Sequence, residues 1–324
     1  MPIVIAYALG YRFDDSWRLR KTGGLYVTSD ITGSQIHLEN KLIKTTNLLQ
    51  SGAFIDNLSP GIYKISVSKE NYLLWEKSLE VQSQLVTETK ALLIPKKNNA
   101  KVIIQGNFFG LESSIYNPVL IFTERKENEK IVRWFLPSEK EFLTDTGPLV
   151  KYSKTFELIR WLPRGIVLSL DGKSKRITFD LGAKTASIVP LEDEPSSKSE
   201  EEKVALNERL DSRKFIKAEY TENGGILKTS WLENTIYPYY FSGPEEILIR
   251  DKKIRNFEFY PGRSDALIVA YDNGIWALEI DGRQGRIIQP IYKGKEPEFK
   301  IPYGLNGIYL IDAGNLIVIN LTLE

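Results

Sequence analysis

Short stretches of alternating apolar and polar residues, each ended by a turn signal, recur along most of the chain. In Gly24–Thr28, Leu25 and Val27 share one face, and in Tyr63–Val67 the odd-numbered apolar residues do the same. Successive side chains point to opposite faces of a β-strand, so this pattern indicates half-buried strands. The turns are rich in Gly, Pro, Asn and Asp, the residues that β-turns prefer. The sequence therefore predicts an all-β fold.

Residues 23 to 95 have the pattern of a small β-sandwich. Strands are predicted around 24–28, 35–38, 63–68, 73–81 and 85–93, a spacing typical of sandwiches. Pro60 fixes φ in one turn and Gly61 is expected to supply a positive φ there. The predicted turn residues are Gly33, Pro60, Gly61 and Asn71.

The same residues resemble the PEGA domain family. The resemblance is carried by Gly24–Ser29, Gly33, Ile36–Leu38, Leu58–Val67 and Asn71–Lys77. It implies a small β-sandwich of bacterial and archaeal surface proteins, with no catalytic residues and a surface or interaction role. The eponymous tetrad is replaced here by Ile31–Ser34, which keeps only the glycine. Asn40 and Asn71 stand where the family has glycines, and asparagine tolerates positive φ better than other non-glycine residues.

The first ten residues are apolar and uncharged, and Tyr11-Arg-Phe-Asp-Asp15 follows them at once. A membrane-spanning helix needs about 20 apolar residues, so this run is half of one. It is either the end of a truncated signal-anchor helix or an ordinary buried strand. PEGA modules commonly follow a single membrane anchor, so the resemblance favours an anchor end over residues 1–14. The bulk of the chain is then expected outside the membrane.

Residues 100 to 324 have the pattern of a second all-β domain with a degenerate repeat. The clearest unit is 253–292, where Asp272-Asn-Gly274 is a tight hairpin signal between two apolar strands. Four strands in about 40 residues is the size of one propeller blade. Aromatic, Pro and Gly elements at 161–165 and 260–262 resemble degenerate WD-type or periplasmic propeller blades. A β-propeller-like domain of about five blades is predicted, with a pair of β-sandwiches as the alternative.

An acidic, serine-rich segment at 191–210 interrupts this repeat. Its carboxylates lack the alternation of a calcium loop, so a solvated insertion is expected. Ser199 and Glu202 have the spacing of a capping box, which predicts a short helix over 200–210.

Composition excludes several classes of function. The chain has no cysteine and one histidine, His37, so a cysteine nucleophile, a thiolate metal site and a multi-histidine metal site are excluded. The 43 basic and 42 acidic residues give a net charge of +1, which lacks the basic surplus of a nucleic-acid binder. No phosphate-binding loop or nucleophile motif is present. The sequence predicts no enzyme activity, no cofactor and no metal, and His37 is expected on the surface.

One aromatic strand is the candidate contact surface. Tyr237, Tyr239 and Phe241 would share one face of a strand, where they can stack on sugar rings or on a partner protein if exposed. If buried, they are packing between blades.

Together these features predict a non-catalytic, extracytoplasmic protein of the cell envelope that binds or scaffolds. The propeller would be presented on a rigid PEGA stalk, with an envelope protein or a cell-wall glycan as partner and a missing N-terminal helix in the membrane. The alternative is a propeller-type hydrolase that cleaves envelope glycans through two carboxylates. A third reading, an intracellular adaptor, requires Ile3–Leu9 to be a packed strand. Two closely spaced acids in the central funnel would favour the hydrolase.

Overall fold

The fold is all-β, as the sequence predicts. A computed structural model describes residues 11–13, 17, 19–97, 99–127, 129–189, 208–210, 216–221, 226–231, 245–248 and 254–321. These residues form β-strands and include no helix. Within the described ranges, no helix has the length and apolar character needed to cross a membrane.

The chain divides into two compact units that do not follow the sequence in one cut. The first unit comprises residues 1–97, 233–245 and 277–289, and the second comprises 98–232, 246–276 and 290–324. The first unit therefore takes up a short segment, 277–289, that lies about two hundred residues beyond its main part.

The main part of the first unit contains nine strands: β1 (Tyr11–Phe13), β2 (Leu19–Lys21), β3 (Gly23–Ser29), β4 (Gln35–Leu38), β5 (Lys41–Thr45), β6 (Gly52–Leu58), β7 (Gly61–Ser68), β8 (Trp75–Val81) and β9 (Val86–Ala91). A three-stranded sheet has the order β6-β3-β9, and a four-stranded sheet has the order β5-β4-β7-β8. Alternation buries one face of each sheet, including Leu25, Val27, Ile65, Val67 and Leu79. Strands of the two sheets contact one another, so this part is a two-sheet sandwich.

The predicted anchor falls mostly outside the described residues, which exclude 1–10 and 14. Tyr11–Phe13 is not helical: it forms β1, which pairs antiparallel with β2.

Most of the predicted turn residues of the sandwich that were expected to have a positive φ do so. Gly33 has φ of 79°, and Asn40 and Asn71 each have 66°, so asparagine takes the conformation that the sequence analysis assigned to the replaced glycines. The prediction for Gly61 is wrong: it starts β7 without a positive φ, and Asn57, at 59°, takes the left-handed conformation near this turn. Pro60 lies between β6 and β7.

The rest of the chain contributes the remaining strands: β10 (Asn99–Ile104), β11 (Phe108–Ser113), β12 (Leu120–Lys126), β13 (Glu129–Leu136), β14 (Glu141–Phe142), β15 (Thr144–Asp145), β16 (Lys151–Tyr152), β17 (Phe156–Leu162), β18 (Gly165–Leu170), β19 (Lys173–Asp180), β20 (Thr185–Val189), β21 (Glu208–Leu210), β22 (Ile216–Thr221), β23 (Ile226–Trp231), β24 (Glu245–Leu248), β25 (Asn256–Phe259), β26 (Ala266–Tyr271), β27 (Gly274–Glu279), β28 (Ile288–Lys293), β29 (Glu298–Lys300), β30 (Gly307–Asp312) and β31 (Asn315–Asn320). Their connectivity is propeller-like. Successive strands form the sheets β11-β12-β13-β14, β17 to β20, β21 to β24 and β25 to β28.

One sheet joins the beginning of this region to its end. Its order is β10-β31-β30-β29, and Asn99 pairs with Asn320. Propellers close their ring in this way, with one early strand completing the last blade.

Neighbouring sheets of the second unit pack through apolar faces. Phe108, Phe122 and Phe135 lie against Tyr309, Ile311 and Leu316 in one cluster. A second cluster joins the faces that carry Trp134 and Ile166.

The described residues test the predicted insertion at 191–210 only at its end, and they include the predicted hairpin at 272–274. Glu208–Leu210 is a strand, so the predicted helix over 200–210 is wrong at its end, because Glu208 pairs with Glu219 in a ladder. Residues 190–207, which hold most of the acidic insertion, lie outside the description. At the predicted hairpin, Gly274 has φ of 147° and the turn Asp272-Asn273 joins β26 to β27.

Candidate functional site

A cleft of about 340 Å³ opens in the second unit where edge strands of different sheets converge. Its lining comes from β11, β25, β29 and the start of β17. Each of these strands lies at one edge of its own sheet. In a propeller, the innermost edge strand of each sheet lines the central channel, where ligands bind. The lining residues are Gly110, Leu111, Glu112, Phe156, Arg255, Asn256 and Pro297–Lys300.

A bulge in β11 shapes one wall of this cleft. The pairing register with β12 shifts between Phe109 and Glu112, and Gly110 has φ of 68°. A bulge frees backbone amides from the ladder. Glu298 Oε2 accepts both of them, from Gly110 N at 2.8 Å and Leu111 N at 3.1 Å. This carboxylate therefore holds the backbone of the opposite wall.

Glu112 in the cleft, and Glu258 two positions beyond the lining residue Asn256, are each paired with a cationic side chain. Glu112 Oε2 lies 2.9 Å from Lys300 Nζ, which joins β11 to β29. In β25, Glu258 Oε1 lies 2.9 Å from Arg209 Nε of β21. The side chains of Glu112 and Lys300 are 36% and 19% exposed, and those of Glu258 and Arg209 are 22% and 20% exposed. Both pairs are thus partly open to solvent.

Arg255 and Asn256 complete the polar lining. Arg255 Nη1 lies 3.5 Å from both Asp272 Oδ1 and Glu296 Oε2, which is a loose pairing. Asn256 Nδ2 donates to the Phe299 carbonyl oxygen at 2.7 Å, which ties β25 to β29. Among the described residues, no group of three or more His, Asp or Glu side chains has the geometry to hold a metal ion.

A second polar cluster is buried in the first unit. Lys77 Nζ lies 3.2 Å from Glu279 Oε2 and 3.3 Å from Asp281 Oδ2, and it donates to the Asp281 carbonyl oxygen at 2.8 Å. Trp75 Nε1 donates to Glu279 Oε1. The side chains of Lys77 and Glu279 are 1% and 4% exposed. We call Trp75, Lys77, Glu279 and Asp281 the buried cluster.

Arg283 extends the buried cluster toward the surface. It donates to Asp281 through Nε at 3.0 Å and Nη2 at 2.8 Å, and Nη2 also donates to the Glu88 carbonyl oxygen. Burial raises the pKa of Asp281, but the hydrogen bonds from Arg283 and the charges of Lys77 and Arg283 outweigh it, so the pKa lies below its usual value. Asp281 is therefore ionised at neutral pH.

This cluster was not predicted from the sequence, although β8 contains a signal for it. In β8, Lys77 lies between Trp75 and Leu79 on the buried face, where an unpaired lysine is too costly. Lys77 therefore needed acidic partners. The sequence did not show where these partners lie, because Glu279 and Asp281 are 202 and 204 positions away from Lys77.

The candidate contact residues Tyr237, Tyr239 and Phe241 lie outside the described residues. His37 is partly buried in β4, where it pairs with Ser66 of β7 and Leu42 of β5. The structure does not bring it together with another candidate group.

Comparison with known proteins gives only distant likenesses. No protein-family model matches the chain, and no curated protein matches it. Among solved structures, Hsv2 of Kluyveromyces lactis is 11% identical, with a TM-score of 0.32, over 77% of this chain and 86% of that chain. The β-propeller domain of Cps50 (Swd1) from Myceliophteria thermophila is 9% identical, with a TM-score of 0.33, over 80% and 94%.

A gluconolactonase from Xanthomonas campestris is 8% identical, with a TM-score of 0.30, over 80% of this chain and 82% of that chain. Similarity this low assigns neither a family nor a function. The PEGA resemblance of residues 23–95 stays a prediction.

Proposed function

We propose that this chain is a non-catalytic binding or scaffolding protein that uses the cleft of the second unit as a recognition surface. The observation that carries the proposal is the pairing of the cleft carboxylates. Glu112 faces Lys300, and Glu298 accepts two backbone amides.

A glycosidase needs a different arrangement. One of its two carboxyl groups must hold a proton for the leaving group, and the second must attack or activate water. Each of these carboxyl groups must therefore have oxygen atoms that can face the substrate. In the cleft, the ammonium group of Lys300 and two backbone amides already contact oxygen atoms of Glu112 and Glu298 that would have to reach a substrate. This pairing suits recognition better than catalysis.

The cellular setting of the proposal comes from the resemblance of residues 23–95 to PEGA modules. We propose that the chain acts in the cell envelope, outside the cytoplasm and beside a membrane, with an envelope protein or a cell-wall glycan as partner. The two-sheet sandwich formed by β3 to β9 is compatible with a stalk.

The test is to incubate the full chain with insoluble cell-wall material and to measure both sedimentation and release of soluble reducing sugar. The full chain is needed because residues 277–289 belong to the first unit, and a cut near residue 96 would remove them from it. Retention without sugar release is the expected result.

Two variants separate the outcomes. Glu112→Gln and Lys300→Met each break the ion pair of the cleft and leave the buried cluster intact. If the cleft recognises the polymer, retention changes in both variants. If the wild-type chain releases sugar and Glu112→Gln does not, the hydrolase replaces this proposal. If the chain binds neither cell wall nor envelope proteins, the proposal is overturned.

A further inference from the structure

The outer face of the three-stranded sheet carries two exposed aromatic side chains directly opposite each other. Tyr26 of β3 and Phe54 of β6 are cross-strand partners, 37% and 59% exposed. Their neighbours along the strands, Leu25, Val27 and Ala53, point into the core. The two rings therefore belong to the solvent face.

Glycines on the opposite strand let both rings lie down on the sheet. A Cβ atom placed on Gly24 would meet Phe54 Cε2 and Cζ at 3.3 Å, and one placed on Gly52 would meet Tyr26 Cε2 at 3.4 Å. Each ring thus leans diagonally over a glycine of the neighbouring strand. The two rings lean in opposite directions along the strands, and we call the exposed surface that they form the aromatic platform.

Carboxylates flank the aromatic platform. Glu88 of β9 is in register with Tyr26, and Asp56 follows Phe54 by two positions on the same face of β6 and is exposed. The nearest lysine in this face, Lys90, lies 2.8 Å from Asp30 and is thereby neutralised. Glu88 and Asp56 thus place two carboxylates beside the rings, while Arg12 of β1 donates to Asn57 Oδ1 next to Asp56. Carboxylates in this position disfavour polyphosphates and acidic polymers.

Packing over glycine explains the position of the inner side of each ring, but it does not explain why the outer side is an exposed aromatic surface. An aromatic ring that covers a glycine protects the backbone with its inner side. A leucine would give the same cover, whereas the outer sides of the two rings stay open to solvent, with Tyr26 37% and Phe54 59% exposed. A flat apolar surface beside hydrogen-bond acceptors is complementary to a pyranose, which has a face of C–H groups and a rim of hydroxyls that donate to carboxylates.

We infer that the aromatic platform is a binding site for a neutral pyranose polysaccharide, with Tyr26 and Phe54 stacking on sugar faces and Glu88 and Asp56 accepting from hydroxyl groups. This site is separate from the cleft of the second unit and does not depend on ligand binding there.

The experiment measures binding of the full chain to cellohexaose and chitohexaose by calorimetry, with the acidic polymer polygalacturonate as the charged counterpart. Wild type is expected to bind at least one neutral oligosaccharide and to bind polygalacturonate more weakly. Tyr26→Ala and Phe54→Ala should each weaken binding about tenfold, the usual scale for one lost aromatic contact.

Two further variants keep structure and recognition apart. Phe54→Leu still covers Gly24 but has no flat face, so it should weaken binding about as much as Phe54→Ala does, while the melting temperature stays close to that of wild type. Phe54→Trp should retain binding. Tyr303→Ala is the matched control, because Tyr303 is 58% exposed but lies in the second unit.

The inference is overturned if neither neutral oligosaccharide binds, or if Tyr26→Ala and Phe54→Leu bind as wild type does. Binding that instead disappears in Lys300→Met would move the sugar to the cleft, which contradicts the platform and leaves the proposed function in place. Capture of an envelope protein by the platform, without sugar binding, would also overturn it.

Discussion

The two units each contain a lysine paired with a glutamate from a distant part of the chain, but in different surroundings. In the first unit, Lys77 and Glu279 are 1% and 4% exposed, whereas Lys300 and Glu112 in the second are 19% and 36% exposed. Desolvation makes a buried charge depend on its partner, while water can replace the partner of an exposed one. The same pair of residue types is therefore closed to solvent in the first unit and partly open to it in the second, where we propose the recognition surface.

Lys77→Met should be the most damaging of the changes considered. It keeps the side-chain length but leaves the buried carboxylate of Glu279 without its cation, and breaking a buried pair costs about 3–5 kcal/mol. Denaturant unfolding should show this loss. Lys300→Met is the matched change in the second unit, and an equal loss there would remove the distinction between the two pairs.

A double variant tests whether the cost comes from the unpaired charge. Glu279→Gln keeps an oxygen acceptor for Trp75 Nε1 but removes the negative charge. Lys77→Met with Glu279→Gln should be more stable than Lys77→Met alone, because no uncompensated charge remains at that pair. Simple addition of the two single effects would contradict this explanation.

Acid should weaken the buried cluster through Asp281. Its folded-state pKa lies below the ordinary value of 3.8, so the unfolded chain binds the proton more readily. The resulting stabilisation is fully present above the unfolded pKa and disappears as the pH falls through the folded-state pKa. Asp281→Asn should therefore lower the melting temperature at pH 6, and the difference from wild type should shrink below pH 3.8. A difference that is constant with pH would show that Asp281 acts through packing alone.

Breaking the cleft pair should change stability little. For Glu112→Gln, the expected loss is at most about 1 kcal/mol, since the pair is partly solvated. Salt should reduce the difference further. Calorimetry at low and high ionic strength checks both points, and a loss comparable to that of Lys77→Met would show that the cleft pair is structural.

Local sequence patterns were sufficient for the strands but not for the sites. Alternation located β7 and β8, because side-chain direction in a strand depends on neighbouring positions, and two apolar runs around a hairpin signal located the unit from β25 to β28. It could not show that residues 277–289 join the first unit, or that Lys77 meets Glu279 across 202 positions. The aromatic platform was hidden for the same reason: Tyr26 and Phe54 become partners only through the pairing of β3 with β6, and the glycines beneath their rings lie on the opposite strands.

The smallest effect is expected at Asp171, an exposed carboxylate of the second unit. Its oxygens accept the backbone N–H groups of Ser153, Lys154 and Thr155, and these hydrogen bonds hold its pKa well below the usual range. Asp171 also occupies a left-handed turn, with φ of 51°. Asp171→Asn tolerates that conformation and removes the charge, so it separates electrostatics from backbone strain.

Asp171→Asn should speed amide hydrogen exchange at residues 153–155 without a measurable change in global unfolding. Water can satisfy exposed amides, so losing the charge opens the loop locally instead of destabilising the core. Exchange that rises throughout the second unit would mean that an exposed carboxylate can act as globally as the buried cluster does, and the contrast between the two kinds of charge would fail. Exchange confined to the loop would show that the effect of a charge on global stability falls with its exposure, from the buried cluster to the cleft pair and then to the exposed Asp171.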